Sequence, residues 1–363
     1  MNISEALYQC AQCSTRFEVT LSRVECNCGG VLDLHYDDPA YRVLHDRLDA
    51  GLLRFADLIP IETALLRQAS LGLSATPLVS MGPSLFVKCD FISPSGSFKD
   101  RGAQVLAALA ISLGAQRIVL DSSGNAGAAM AAHSARVGLK CDVVVPASAP
   151  AQKMLQSRAY GATVITVEGS RGAATARARD MAEVPGTFFA SHVENPYYLE
   201  GTKTWAFEVA EQLGDAPEEV IMSVGNGSLF IGAYRGFRYL FDHGITTRLP
   251  RMVAAQASGW SPLSGDVEHG DAAALADGIA IANPRRLRQI DSIIEESRGE
   301  VRTADHAAII CATRDLAAKG LWVEPTSGVA WATLAAHDSR DALSTVVSLG
   351  GSGFKSSAVT YVS

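Results

Sequence analysis

The sequence predicts an α/β protein with two parallel-sheet domains behind a short segment that carries four cysteines. From about Leu78 onward, short runs of valine and isoleucine alternate with alanine-rich stretches of helical character. This alternation is typical of parallel sheets whose two faces are both covered by helices. The chain has 363 residues, 48% of them hydrophobic, which is enough for two domains of ordinary size.

The N-terminal segment, residues 1–36, is predicted to be a zinc ribbon. Its four cysteines form a C-x2-C pair followed by a C-x-C pair, and they are Cys10, Cys13, Cys26 and Cys28. Four thiolates at this spacing are typical ligands of a tetrahedral structural zinc. A ribbon that keeps its shape without metal, or four reduced thiols, would give the same pattern.

The remaining elements follow from local patterns. Residues 37–75 are predicted to form a helix-rich arm, because strand-forming runs are few there. Runs of β-branched and apolar residues predict strands at 85–90, 117–121, 141–146, 162–167, 187–190, 219–224, 252–256 and 344–348. Alanine-rich stretches, several of which stop at a glycine, predict helices at 103–113, 126–136, 151–160, 171–182, 202–213, 229–241, 303–319 and 327–336.

Charge and hydropathy exclude several classes of partner. The formal net charge is -7 and no run of lysine or arginine stands out, which argues against nucleic acid and anionic membranes. No apolar stretch reaches the roughly 18 residues of a membrane span. The N-terminus lacks the basic and apolar regions of a secretory signal. We therefore expect a cytoplasmic protein that acts on a small molecule.

One lysine lies between a turn and a predicted helix start. The segment Phe91–Gly102 reads FISPSGSFKDRG, and its lysine is Lys99. A lysine amine attacks aldehydes only when it is neutral, and partial burial lowers its pKa. A lysine held in this way suits a Schiff base with pyridoxal phosphate. A solvated charged turn at a helix start would have the same residues. The choice between a Schiff-base lysine and a charged turn therefore depends on motifs elsewhere in the chain.

Three glycine-rich loops follow predicted strands. In 121–127 (DSSGNAG), Ser122 and Ser123 offer hydroxyls to a carboxylate and Asn125 offers an amide. The loop Ser223–Leu229 (SVGNGSL) opens a helix, and its successive backbone N–H groups would bind a phosphate. It lacks the lysine of ATP-binding loops and the glycine spacing of dinucleotide-binding loops. The third loop, 349–355 (LGGSGFK), follows the last strand. Together with Lys99, these loops predict a pyridoxal 5'-phosphate site.

These motifs resemble those of the threonine synthases, within the tryptophan-synthase-β-like, fold type II family of pyridoxal phosphate enzymes. The resemblance covers nearly the whole chain in order. Its segments are CAQC and CNCGG in the ribbon, Ala75–Leu78, Ser93–Gly102, Asp121–Ala132, Gly161-Ala162, Asn195–Glu208, Ser223–Gly227, Gly320–Ala330 and Leu349–Lys355.

The resemblance implies a role for each cofactor residue. Lys99 would be the Schiff-base lysine and the acid/base for the α and β carbons, Phe98 would lie beside the ring, and Asn125 would bond the phenolate oxygen. The residues that would hold the cofactor phosphate are Gly225, Asn226, Gly227, Ser228 and Leu229. The family also implies a homodimer and three regions: the ribbon at 1–36, a larger cofactor domain of 37–100 and 191–363, and a smaller substrate-side domain of 101–190.

The resemblance also implies a substrate. Ser122 and Ser123 would face the substrate carboxylate, and Asn195 would lie near a substrate phosphate. In threonine synthases the substrate is O-phosphohomoserine, whose γ-phosphate is eliminated before water adds at the β-carbon. Two alternatives stay open: a related β-replacement enzyme (cysteate-synthase-like) or hydroxy-amino-acid dehydratase, and a non-catalytic relic that binds the cofactor.

Three departures from the family pattern leave the substrate open. A threonine or serine usually opens the last loop and bonds the pyridine nitrogen, but this chain has Gly350 there. Three alternatives stay open for that contact: Ser352, Ser348 or water. The asparagine loop has Ala126 where threonine synthases often have threonine. The predicted helix after Gly169 lacks the usual acidic pair. It instead carries Arg171, Arg177 and Arg179, which form either a solvated helix face or a remodelled anion site.

Overall fold

The computed structural model describes residues 6–37, 39–41, 51–267, 271–334 and 344–355. In these residues the strands are β1 (Leu7–Cys10), β2 (Arg16–Phe17), β3 (Leu32–His35), β4 (Leu78–Gly82), β5 (Leu85–Cys89), β6 (Arg117–Asp121), β7 (Lys140–Pro146), β8 (Thr163–Val167), β9 (Thr187–Phe189), β10 (Glu219–Ser223), β11 (Arg251–Ala257), β12 (Glu300–Ala304) and β13 (Thr345–Leu349).

The helices alternate with these strands over most of the described chain. They are α1 (Thr63–Gln68), α2 (Lys99–Ser112), α3 (Asn125–Arg136), α4 (Ala151–Ala159), α5 (Arg171–Ala182), α6 (Tyr197–Leu213), α7 (Ser228–Asp242), α8 (Asp271–Leu275), α9 (Leu287–Glu296), α10 (His306–Ala318) and α11 (Pro325–Leu334). None of the helices in the described ranges is both long enough and apolar enough to cross a bilayer.

The chain divides into two compact units. The first unit comprises Met1–Ala75 and Lys99–Thr202, and the second comprises Thr76–Phe98 and Lys203–Ser363. The domain limits predicted from the sequence differ from these ranges and stay a prediction.

The first unit contains two sheets. The antiparallel sheet β2-β1-β3 contains Cys10 at the end of β1. The second sheet has the order β8-β7-β6-β9 and is parallel throughout. Its central strand β7 reads KCDVVVP and is buried over five consecutive residues, as expected for a strand covered on both faces. The carboxyl ends of β6 and β9 are neighbours, so the loops that follow them lie at one edge.

The second unit contains a mixed sheet of six strands in the order β12-β11-β10-β13-β5-β4. All neighbours are parallel except β4, which runs antiparallel to β5 at the edge. The predicted parallel sheet is therefore correct apart from this edge strand. The phosphate-nest loop follows β10, the closing loop follows β13, and the segment leading to Phe98 follows β5. Three consecutive strands thus bring these three segments to one edge.

Several elements differ from the sequence-based prediction, which contains neither β4 nor α8. The stretch predicted as a helix from residue 303 begins as strand β12, and α10 starts only at His306, where Asp305 accepts a hydrogen bond from the N–H of Ala308. Helix α9 was not predicted, although Leu287, Ile290 and Ile293 recur in it at helical spacing. Helix α6 starts at Tyr197 rather than residue 202, since Pro196 and the Asn195 side chain favour an earlier start. Predicted helix residues 335–336 lie outside the described residues.

Candidate active site

Lys99 is the first residue of α2, and this helix packs backbone to backbone against α6. A Cβ added to Gly201 would lie 2.1 Å from the carbonyl oxygen of Arg101 and 2.8 Å from the Cα of Gly102. A Cβ on Gly102 would meet the ring of Tyr198 at 2.4 Å. The glycines of SFKDRG and EGTKT are therefore needed because the two helices touch at these positions. This contact fixes the helix turn that carries Lys99.

Two further contacts hold the start of α2. The Tyr198 hydroxyl donates to the Lys99 carbonyl oxygen over 3.2 Å. The next side chain, Asp100, is fully buried with its Oδ1 3.3 Å from Nε2 of the equally buried His133. The Nδ1 of His133 lies 2.8 Å from the Ala69 carbonyl oxygen, which requires a proton on Nδ1. The roles of Tyr198 and His133 have no local pattern in the sequence, because each side chain contacts a residue far from it along the chain.

The asparagine loop connects β6 to α3, with Asn125 as the first helical residue. A Cβ on Gly127 would lie 2.2 Å from the Ser122 carbonyl oxygen, so the turn closes tightly on itself. The Ser122 hydroxyl accepts a hydrogen bond from the Gly124 N–H at 3.4 Å, while Ser123 is half-buried. No side chain caps α3, so its first N–H groups point into this loop.

Asn195 and His192 follow β9 at the neighbouring position of the same sheet edge. Asn195 is 2% exposed, and its Oδ1 accepts a hydrogen bond from the Tyr197 N–H at 3.1 Å. It is thus a helix cap for α6. The His192 ring lies edge-on to Tyr198, with 6.1 Å between the ring centroids. Burial, with Lys99 and Arg171 facing it, holds the pKa of His192 well below its usual range, so the ring is neutral.

The three arginines of α5 have different surroundings. Arg179 Nη2 lies 2.5 Å from Glu194 Oε1 and 3.0 Å from Glu25 Oε2, so it joins the N-terminal ribbon to the segment next to Asn195. Arg171 and Arg177 are exposed. Arg179 therefore has a structural role, and the solvated-face interpretation holds best for Arg177.

In the second unit, the loop from Gly225 to Leu229 forms the N-terminus of α7. Gly227 has φ +76°, a left-handed conformation that favours glycine. A Cβ on Gly225 would lie 2.9 Å from the Ile279 Cα, and a Cβ on Gly227 would lie 2.5 Å from the Ile290 Cδ1. Helix α7 has neither a side-chain cap nor an acidic residue in its first turn. The uncapped N-terminus of α7 and its positive dipole end suit a phosphate.

The closing loop is paired with the segment that precedes Lys99. The Phe98 N–H donates to the Gly350 carbonyl oxygen over 2.9 Å, and a Cβ on Gly350 would lie 2.9 Å from Phe98 Cδ1. The ring of Phe98 thus occupies the space that a threonine at 350 would need. The Ser352 hydroxyl is buried and accepts a hydrogen bond from the Phe354 N–H at 3.3 Å. The absent hydroxyl at 350 is therefore linked to the position of Phe98.

The four cysteine sulfurs of the ribbon converge, with all Sγ atoms within 4.8 Å of one another. Cys10 Sγ lies 3.6 Å from Cys28 Sγ, and Cys13 Sγ lies 3.5 Å from Cys26 Sγ. Tetrahedral zinc with Zn–S bonds of about 2.3 Å requires S···S separations of roughly 3.8 Å, which these distances approach. A Cβ on Gly30 would lie 2.7 Å from Cys10 Sγ, so glycine is needed beside the cluster.

Comparison with known proteins connects this geometry to a family. A family of pyridoxal-phosphate dependent enzymes matches residues 69–349. The chain belongs to this family. It is 31% identical over 349 residues to the threonine synthase of Methanosarcina acetivorans, a match that covers 90% of this chain and 85% of the relative. It is 37% identical over 275 residues to the threonine synthase of Synechocystis sp., covering 75% and 72% of the two chains.

A solved structure agrees on the fold. Maize serine racemase superposes with a TM-score of 0.68 over 82% of this chain and 94% of its own, at 20% sequence identity. The predicted fold type II and the predicted enzyme class, a threonine-synthase-like lyase that depends on pyridoxal phosphate, are both confirmed.

The residues present fit the family's cofactor. The loop at Gly225–Leu229 opens α7 without a side-chain cap, so the first N–H groups of this helix suit a phosphate. Lys99 stands half-buried at the start of a helix that is held in place by Tyr198. A nucleophilic amine and an anion-binding helix end are the two groups that pyridoxal phosphate requires of a protein.

Proposed function

We propose that this enzyme eliminates phosphate from O-phosphohomoserine and adds water to give threonine. Relatives named threonine synthase, at 31% and 37% identity over most of their length, support this reaction. The observation that carries the proposal is the N-terminus of α7, which has no side-chain cap and whose glycines at 225 and 227 are required by close packing against Ile279 and Ile290.

When bound, pyridoxal phosphate supplies an electron sink that stabilises negative charge on the substrate carbons. Lys99 would hold the cofactor covalently and then move protons at the α and β carbons. Phe98 would pack against the ring, and Asn125 would donate to its phenolate oxygen. Leu229 and the N–H groups from Gly225 onward would bind the phosphate. Ser352, the hydroxyl residue of the closing loop 349–355, would donate to the pyridine nitrogen.

Side chains of the first unit would bind the substrate. Ser122 and Ser123, beside the uncapped start of α3, suit the substrate carboxylate. Asn195 would act from its cap position at α6, where its side chain also interacts with the buried Tyr8 hydroxyl. Each of these roles pairs a charged substrate oxygen with an N–H or O–H donor, the stronger class of hydrogen bond.

Incubation with O-phosphohomoserine tests the reaction. The holoenzyme should release phosphate and threonine in equal amounts, and a Lys99→Ala variant should release neither. Phosphate without threonine would refute water addition and favour the β-replacement or dehydratase chemistry. No turnover at all, with the cofactor bound, would refute O-phosphohomoserine as the substrate.

We also propose that the cysteine cluster binds one structural zinc. All four tetrahedral positions would be filled by protein, so this zinc would have no open site for catalysis. The Tyr36 hydroxyl donates to Glu200 Oε2 over 2.7 Å, and the Phe189 N–H donates to the Leu21 carbonyl oxygen over 3.0 Å. The ribbon region therefore supports the same segment that carries Asn195, and zinc would stabilise that support.

Compartment, oligomeric state and domain limits are also proposed. We propose that the enzyme is a cytoplasmic homodimer. We propose that residues 1–36 act as the ribbon, that 37–100 and 191–363 act as the cofactor domain, and that 101–190 act as the substrate-side domain.

A further inference from the structure

Two ionisable side chains that the proposed function does not use are buried beside Lys99. Asp100 is the second residue of α2, and His133 lies in the last turn of α3. Both side chains are fully buried, and 3.3 Å separates Asp100 Oδ1 from His133 Nε2. Apart from this contact, Nε2 has no polar partner among the described residues. The charge of the His133 ring is therefore decided by two neighbours, Asp100 and the Ala69 carbonyl.

These two neighbours favour a proton on each nitrogen of the His133 ring. Nδ1 lies 2.8 Å from the Ala69 carbonyl oxygen, which can only accept a hydrogen bond, so Nδ1 carries a proton. If Nε2 had no proton, its lone pair would face the Asp100 carboxylate inside the protein. Such a contact costs free energy, because neither buried atom would have the partner that it needs. A second proton, on Nε2, would turn the contact into an ion pair.

Two helix ends favour this ionised form over a neutral ring beside a protonated carboxyl group. Asp100 lies in the first turn of α2, where the positive end of the helix dipole stabilises a carboxylate. His133 lies in the last turn of α3, where the negative end of the dipole stabilises an imidazolium. Tyr198 of α6 also faces Asp100. Burial, and then the Asp100 charge, raise the pKa of Tyr198 well above its usual range, so its hydroxyl is neutral.

The pair acts on the segment that carries Lys99. Asp100 follows Lys99 directly, so its contact with His133 ties the first turn of α2 to α3. The same ring is bound to the carbonyl of Ala69, the residue after α1. The Tyr198 hydroxyl holds the Lys99 carbonyl from α6. Three neighbouring elements thus determine where the backbone of Lys99 lies.

We propose that His133 is a positioning residue: as an imidazolium, it forms a buried ion pair with Asp100 that holds Lys99 in place to react with the cofactor. This inference rests on the proposed Schiff-base role of Lys99 and is independent of the substrate. His133 acts through Asp100 and does not itself touch the cofactor.

Nitrogen-15 NMR of histidine-labelled holoenzyme tests the charge of the ring without any substrate. The signals of His133 are identified as those that disappear in a His133→Gln variant. At pH 7.5 an exposed histidine is neutral, with one protonated and one bare nitrogen. We expect both nitrogens of His133 to be protonated at this pH. A bare nitrogen in this ring would overturn the ion pair.

Two variants that differ in the nitrogen they replace test the positioning role. A glutamine amide reaches about as far as Nε2, whereas an asparagine amide reaches only about as far as Nδ1. His133→Asn should therefore remove the group that faces Asp100. It should slow the appearance of the visible imine absorption, after pyridoxal phosphate is added to the apoenzyme, by about 10- to 100-fold. His133→Gln should keep most of the wild-type rate, because its amide can still donate to Asp100.

The matched control is His306→Asn, at an exposed position in α10. Equal rates of imine formation in the His133→Asn and His306→Asn variants would overturn the positioning role. If His133→Asn does not fold, Asp100→Asn takes its place, since its amide can donate to a neutral ring. The His133 signals should then change to those of a ring with one bare nitrogen, and unchanged signals would overturn the ion pair. If O-phosphohomoserine is not turned over but these results hold, the positioning role stands and the proposed reaction fails.

Discussion

Replacing Gly201 by alanine tests whether the α2–α6 contact positions Lys99. The added Cβ would lie 2.1 Å from the Arg101 carbonyl oxygen, whereas real Cβ contacts are essentially never under 3.0 Å. The neighbouring atoms are backbone, so relief requires one helix to retreat by about 1 Å. Overpacking of this kind typically costs about 1–3 kcal/mol of unfolding free energy.

The same displacement should reach the cofactor, since Lys99 lies two residues before Arg101 in the chain. A misplacement of about 1 Å can cost roughly 10²-fold in rate. The assays are urea unfolding, the visible absorption of the holoenzyme, and turnover. Gly82→Ala is the matched control, because Gly82 has nothing within 4 Å of its added Cβ and no positive φ. A Gly201→Ala variant as stable and as active as Gly82→Ala would show that the α2–α6 contact does not position Lys99.

Two further predictions concern the first unit. Metal analysis should find about one zinc per chain, and a Cys10→Ser/Cys13→Ser variant should lose the metal; an unchanged zinc content in that variant would contradict the proposed ligand set. Burial, and then the charges of Lys99 and Arg171, lower the pKa of His192. Below about pH 6.5 only the unfolded chain takes up the proton at this histidine, so the free energy of unfolding should fall as the pH drops. The loss should be up to about 1.4 kcal/mol per pH unit. Urea unfolding at pH 7.5 and 5.5 should show a smaller loss in His192→Asn than in an exposed control, His306→Gln, and equal losses would contradict a neutral His192.

The sequence predicts those parts of the fold that have strong local signals. Buried strands such as β7, with three consecutive valines, and helices that end at a glycine are found close to their predicted bounds. Strand β12 (EVRTA) carries two charged residues and lies at a sheet edge, where only one neighbour supplies stabilising contacts, so its pattern is weak. The antiparallel strand β4 lies at the opposite edge of the sheet and was not predicted, again because an edge strand has only one neighbouring strand.

The candidate site also contains residues that the sequence predicts and contacts that it does not. Motif residues such as Lys99 and the glycines of the phosphate nest can be recognised from short stretches of sequence. The pair formed by Tyr198 and the Lys99 carbonyl joins segments 99 residues apart, and Arg179 reaches Glu25 across 154 residues. Such pairs have no local pattern, so only the folded chain reveals them. They explain why the α5 arginines, which look alike in the sequence, have different roles.

We propose that Lys99 carries the cofactor. Reducing the holoenzyme with borohydride would fix pyridoxal phosphate to its lysine, and peptide mass spectrometry would then locate it. We expect a single modified peptide that contains Lys99, and a Lys99→Ala variant that loses both the modification and the visible absorption. Modification of another lysine, such as Lys203 or Lys355, would contradict it.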